Sequence, residues 1–234
     1  MLHVEHVNAF YGLSHALHDV SLEIAEGEAV ALLGRNGAGK TTTLKTIMGL
    51  LKPRTGRIRL GGKDVTSMPP HLVARQGITL IPEDRQVFPN LTVHENLKIS
   101  RLPVDGGRRL DDYLDWIFAL FPRLKERRRQ LAASLSGGEQ QMLSIARGLG
   151  TEPRIILVDE PTEGLMPALV ETIRNVLVEI RKKRIAILLV EQRFRMPLTI
   201  TDRAYLIEKG QIRWGGSSAD LLRDEATRIR HLGV

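Results

Sequence analysis

The 234-residue sequence predicts an α/β fold built on a mostly parallel sheet. Three observations carry that prediction. Short apolar runs, "GITLI" (77–81), "IILV" (155–158), "IAILLV" (185–190) and "AYLI" (204–207), alternate with helical stretches, as strands joined by crossover helices do. The apolar run "AVALL" (29–33) enters a glycine-rich loop that opens a helical pattern at Lys40. Between Leu91 and Gly150 the strand pattern lapses.

Taken in order, residues 2–33 alternate strand-like pieces, "LHVEHV", "ALHDVSLEI" and "EAVALLG", with turns at Gly12 and Gly27. The interval at about 90–150, with "LDDYLDWIFALF" in it, reads as a helical insertion within one 1–234 domain rather than as an independent unit. Leu169, Val170, Ile173, Val176, Leu177 and Ile180 recur at helical spacing and predict a helix packed by one face on the sheet. No repeat or low-complexity linker interrupts the chain.

Composition narrows the function classes. With 42% hydrophobic residues the chain has material for a sizeable core. It has no cysteine, which excludes disulfides, thiolate metal sites and a thiol nucleophile. The longest clear apolar run falls far short of the roughly 18 residues of a membrane span, and "MLHVEHVNAF" is too polar for a signal peptide, so a cytoplasmic location is expected. Lys and Arg (34) outnumber Asp and Glu (27), but aromatics are only 4% and neither RNA-binding nor zinc-finger spacing is present, so no nucleic-acid partner is expected. The densest basic run, "RLKERRRQ" (123–130), reads as the solvated end of a helix.

The chemistry is concentrated in three strings. "GRNGAGKT", Gly34, Arg35, Asn36, Gly37, Ala38, Gly39, Lys40 and Thr41, followed by Thr42, matches a phosphate-binding loop in the strand–loop–helix setting that the motif requires. Its glycines let backbone N–H groups face phosphate oxygens at a helix N-terminus, Lys40 is suited to the β- and γ-phosphates, and the Thr41 hydroxyl to Mg²⁺. "IILVDEPTEG" (155–164) ends a buried-strand pattern in two adjacent acids. Beside such a loop Asp159 is placed to hold magnesium and Glu160 to act as general base on water. "LSGGEQQ" (135–141) opens a helix with exposed N–H groups and a hydroxyl, where an anion can sit.

Together these strings resemble the ATP-binding cassette (ABC) ATPases over essentially the whole chain. "PEDRQVF", "PTEGLMP", "LLVEQ", "LLGRNGAGKTTTLKTIMGLL" and "FPNLTVHENL" are similar to one subfamily, the ATP-binding subunits of branched-chain amino acid importers and their urea and amide relatives. The resemblance implies a P-loop NTPase fold with an N-terminal antiparallel β subdomain and a helical insertion that meets a membrane partner. It implies two cassettes head to tail, the second related but distinct, each ATP held between one P-loop and Ser136, Gly137, Gly138 and Glu139 of the other. It further implies two integral-membrane permease subunits, an extracytoplasmic solute-binding protein, ATP and Mg²⁺ as cofactors, a place on the cytoplasmic membrane face, and Tyr11 stacking on adenine.

Three positions depart from the common ABC pattern: Glu83 replaces a glutamine, Met166 an aspartate, and Gln192 the switch histidine. Glu83 is a candidate magnesium contact, with pairing to Arg85 as the alternative; Gln192 is the candidate orienting residue. A guanine-reading Asn/Thr-Lys-x-Asp stretch is missing, which excludes a P-loop GTPase. An exporter cassette and a non-catalytic regulatory cassette are the remaining alternatives. An ATP-hydrolysing importer subunit is the expectation.

Overall fold

The computed structural model of the protein describes residues 1–101 and 109–233. In chain order it contains β1 (Leu2–Tyr11), β2 (Ser14–Ile24), β3 (Ala29–Leu33), α1 (Lys40–Ile47), β4 (Thr55–Leu60), β5 (Lys63–Asp64), α2 (Pro70–Arg75), β6 (Ile78–Ile81), α3 (Val93–Ile99) and α4 (Leu110–Leu120). It continues with α5 (Pro122–Glu126), α6 (Gly137–Leu149), β7 (Ile155–Asp159), α7 (Pro167–Lys182), β8 (Ala186–Glu191), α8 (Arg195–Ile200), β9 (Arg203–Glu208), β10 (Gln211–Ser217), α9 (Ser218–Arg223) and α10 (Glu225–Leu232). Residues 102–108 of the predicted helical interval, and Val234, lie outside the described residues.

A six-stranded sheet of order β10-β9-β3-β8-β7-β6 forms the centre. Its strands are parallel except β10, which returns antiparallel to β9. The strands at its middle, β3, β7 and β8, are buried along their whole length, which is why they read as unbroken apolar runs rather than as alternating patterns. Side-chain alternation then sorts them by face. Leu157, Leu188 and Val190 join the core beneath the second sheet and α1, whereas Ile156, Val158, Ile187 and Leu189 join the helices α3 to α7.

The second sheet, β2-β1-β4-β5, is antiparallel and is not confined to the N-terminal segment. After β2 the chain crosses to the central sheet as β3, and β4 and β5 join the second sheet from beyond α1, β4 pairing with β1 from Leu2↔Leu60 to Asn8↔Thr55. Of β4, "TGRIRL", only Ile58 and Leu60 are buried, so its apolar signal is too short to stand out in the sequence.

On the helical side, Val93, Leu97, Tyr113, Ile117 and Phe121 share one core with Ile156 and Val158 of the sheet. Helix α7 buries Ile173, Val176, Leu177 and Ile180 there, each worth about 1.5–3 kcal/mol of transfer free energy. Both α3 and α6 start with a capping box, Thr92 with Glu95 and Ser136 with Glu139, which satisfies orphan N–H groups and fixes where each helix begins.

Candidate functional site

A cleft of about 600 Å³ opens at the end of β3. The chain leaves β3 through Gly34, where a Cβ would lie 2.4 Å from the Ile207 carbonyl, so only glycine passes between loop and sheet. Gly37 (φ 75°) and Gly39 (φ 110°) then take left-handed turns. Gly39 is the N-cap of α1 and supplies no side-chain cap, and the first turn holds no acid. Helix α1 therefore presents uncapped N–H groups and its positive dipole end to the cleft, which Asn36, Gly37, Gly39, Lys40, Thr41 and Thr42 line.

The opposite wall carries acids. Glu83, Glu160 and Glu163 face the same cleft, and Ser14, His15, Ala16, His18, Lys209 and Gly210 close its far end. Asp159 ends β7 on the side of α1, as its odd-numbered neighbours Ile155 and Leu157 do. Alternation alone would send Glu160 to the helical face. Instead Glu160 adopts φ 41°, a left-handed conformation that costs about 1 kcal/mol or more for a non-glycine residue, and its carboxylate meets Lys40 Nζ at 3.0 Å. Both side chains are buried, at 4% and 8% exposure. Lys40 Nζ also donates to the carbonyls of Gly34 (2.9 Å) and Arg35 (3.1 Å). The charge that the Asp159–Glu160 pair requires is thus Lys40.

Electrostatics separate the acids. Burial, with the nearby charges of Glu160 and Glu83, pushes the Asp159 carboxyl up to about 6 against the opposing hydrogen bond from Thr41 and the charge of Lys40. A hydrogen bond to Glu160, and the charge of Glu160, raise Glu163 above its ordinary range. Glu191, at the end of β8, is buried and pushed up to about 7, mainly by desolvation, although Thr162 donates to it.

The donors suit magnesium. Among the described residues Asp159 Oδ1 is buried without a hydrogen-bond partner, and Thr41 lines the same pocket. Among the described residues no three His, Cys, Asp or Glu side chains gather to hold a metal. One carboxylate and one hydroxyl are the set that a magnesium ion takes when its other ligands are water and phosphate oxygens. Such an ion would neutralise phosphate charge.

The ABC transporter family model matches residues 17–163, which include the glycine-rich loop, the helix opened by Ser136, and the Asp159–Glu160 pair. The chain belongs to the ABC transporter family. It is an ATP-binding, ATP-hydrolysing cassette. It is 42% identical, over 236 residues spanning the whole of both chains, to the high-affinity branched-chain amino acid transport ATP-binding protein BraG of Pseudomonas aeruginosa. It is 39% identical to the probable branched-chain amino acid transport ATP-binding protein LivF of Archaeoglobus fulgidus, over 100% of this chain and 99% of that one. The crystal structure of the ADP conformation of MJ1267, an ATP-binding cassette of an ABC transporter, superposes with a TM-score of 0.84 at 29% identity, covering 97% of this chain and 96% of the other.

Not every residue expected in the cassette's site reaches the cleft. Tyr11 is half exposed at the end of β1 and is not among the lining residues, although it pairs across the hairpin with Ser14, which is. The imidazole of His15 lines the cleft instead, stacked on Phe10 with ring centroids 4.0 Å apart; it escaped the sequence reading because a lone histidine in a strand pattern carries no spacing signal. Arg35 turns away, its Nε donating to the Leu232 carbonyl at 3.2 Å, and Ala38 packs into the core beneath the sheet. Gln192 is exposed and outside the lining set.

Glu83 does line the cleft, and Arg85 forms no ion pair with it. The Arg85 guanidinium extends to Gln140 of α6 and covers Gly137, where a Cβ would meet it at 2.9 Å. Ser136, Gly137, Gly138 and Glu139 lie away from their own chain's cleft. A Cβ at Gly138 would sit 2.3 Å from Leu169 Cδ1 of α7, so a larger residue there makes the leucine side chain shift. Glu163 and Glu191 were missed by the sequence reading, because an acid in a loop or at a strand end is the common case; burial marks out Glu191, and its contact with Glu160 marks out Glu163.

Proposed function

We propose that this cassette energises import of branched-chain amino acids or chemically related amides, as one of a head-to-tail pair that drives two permease subunits fed by an extracytoplasmic binding protein. The observation that carries the reading is the convergence of Lys40, Thr41 and Glu160 on one cleft, with Asp159 lining the adjoining pocket that shares Thr41 and Glu83, a full set of phosphate-binding and water-activating groups. In it Lys40 and the N–H groups opening α1 bind the phosphates, Asp159, Thr41 and Glu83 would hold a Mg²⁺ that neutralises phosphate charge, and Glu160 accepts the proton of the attacking water. Ser136 to Glu139 act on the ATP of the second cassette, which is a distinct chain. Among the described residues no helix is long and apolar enough to cross a membrane; in this reading attachment to the cytoplasmic face runs through the permeases.

Relatives BraG and LivF, at about 40% identity over full length, support the solute class. The test is to co-purify the cassette with its membrane partners, reconstitute the assembly in vesicles with the binding protein inside, and assay ATP hydrolysis against leucine, isoleucine, valine, urea and short amides. Stimulation by a branched-chain amino acid or an amide is expected. Hydrolysis that responds to none of them would place the cassette in another ABC system.

A further inference from the structure

Glu191 has no part in the scheme above, yet it is among the most buried acids of the cassette, at 3% exposure, and forms no ion pair among the described residues. Its surroundings explain why a carboxylate is kept there. The parallel ladder between β7 and β8 pairs Asp159 with Val190, and the next bond runs from Glu160 N–H to the Val190 carbonyl at 2.9 Å. Glu160 then turns to φ 41° and the backbone ladder ends. The N–H two residues on, that of Thr162, is met by a side chain: Glu191 Oε1 accepts from Thr162 N at 3.1 Å and from Thr162 Oγ1 at 2.6 Å. Consecutive residues of β8 thus hold residues 160 and 162, and the strained Glu160 lies between the two ties.

We infer that Glu191 is a positioning residue for ATP hydrolysis: through Thr162 it fixes the turn that aims the Glu160 carboxylate at the cleft, and it joins that turn to Gln192, the next residue along the chain. Without the Thr162 tie the turn is held on one side only, and relaxation of φ at Glu160 swings the carboxylate away from Lys40. Lys40 keeps its bonds to the Gly34 and Arg35 carbonyls of the phosphate-binding loop through that change. Loss of Glu191 therefore acts on turnover and not on nucleotide binding. The inference rests on the assignment of Glu160 as general base.

The experiment compares Glu191→Ala, Glu191→Gln, Thr162→Val and Thr162→Ser in the full-length cassette assembled with its permeases, measuring kcat, KM and equilibrium ATP affinity, each in the wild-type and the Glu160→Gln background. A displacement of about 1 Å in a catalytic group costs up to a hundredfold, so Glu191→Ala is expected to lower kcat at least about tenfold with ATP affinity within about twofold. Glu191→Gln keeps an acceptor oxygen and is expected to retain most of kcat. Thr162→Val, nearly isosteric, is expected to reproduce the loss in part, and Thr162→Ser to restore it. In the Glu160→Gln background Glu191→Ala is expected to add nothing, because the group it positions is already gone. Wild-type kcat in Glu191→Ala or in Thr162→Val would overturn the inference, as would equal losses in Glu191→Ala and Glu191→Gln, or a further loss on top of Glu160→Gln. Wild-type turnover by Glu160→Gln alone overturns the base assignment instead, whatever Glu191 does.

Discussion

Replacing Glu191 by glutamine makes the cassette's stability less sensitive to pH, and the size of the effect follows from burial. The Glu191 carboxyl moves from an ordinary value of 4.5 to about 7 in the folded chain, chiefly through desolvation. Between those values the native state binds more protons than the unfolded one, so stability falls as pH rises, and the full penalty is reached above about pH 8. At 1.36 kcal/mol per unit the shift corresponds to at most about 3 kcal/mol. Asp159 acts in the same direction over a lower window, its carboxyl moving from 3.8 to about 6. Glu191→Gln removes the Glu191 part and keeps an oxygen that Thr162 can bond. The assay is thermal unfolding of the nucleotide-free protein, wild type and variant, from pH 5 to 8.5. The difference between the two is expected to be small at pH 5 and to grow with pH in favour of the variant, reaching several degrees, since about 1 kcal/mol shifts Tm by about 2–4 °C at this size. A pH-independent difference would refute the reasoning, because it would mean that the folded and unfolded carboxyls titrate alike.

Lys40→Met is expected to abolish tight ATP binding and to destabilise the nucleotide-free fold by about 3–5 kcal/mol, because it strands the buried Glu160; adding Glu160→Gln should recover most of the stability but none of the binding, read by chemical unfolding and nucleotide titration. Gly138→Ala forces a Cβ to within 2.3 Å of Leu169 Cδ1, so hydrolysis by the assembled pair should fall while ATP binding to the single cassette persists, and Leu169→Ala should restore part of the activity. At the far end of the cleft, Tyr11→Ala and His15→Ala separate two candidates for the base contact: the residue that stacks on adenine should lose about 1–2 kcal/mol for ATP and ADP alike, and its affinity for bare triphosphate should stay unchanged.

The phosphate-binding loop and the parallel sheet were legible in the sequence for the same reason. Strands buried on both faces, such as β7 and β8, have to be apolar throughout, and a backbone that wraps an anion needs glycine at fixed positions, so both constraints are written locally. Strands β4 and β10 were not legible. Each sits near a sheet edge with few fully buried residues, and the identity of β4 as a partner of β1 depends on a pairing across some fifty residues that no local pattern encodes. The site divides in the same way. Lys40 and Asp159 follow from motif and strand end, whereas the direction of Arg35 depends on where the C-terminal helix packs, and its Nε meets the Leu232 carbonyl 197 residues away. Glu191 was invisible because its meaning lies in what it bonds, not in what flanks it.

The Lys40–Glu160 pair also orders events at the cleft. Lys40 Nζ has one carboxylate and two loop carbonyls within 3.1 Å, and an ammonium group has three protons to give. A phosphate oxygen entering above α1 cannot add to that set; it has to replace one of the three. The Glu160 carboxylate is the one whose loss is compensated, since a phosphate restores the negative charge that Lys40 needs, while a displaced carbonyl would leave two acids competing for one cation. A phosphate bound there would therefore free the Glu160 carboxylate from its ion pair with Lys40. Under the roles proposed above, the ion pair with Lys40 holds the Glu160 carboxylate in place until a phosphate replaces it.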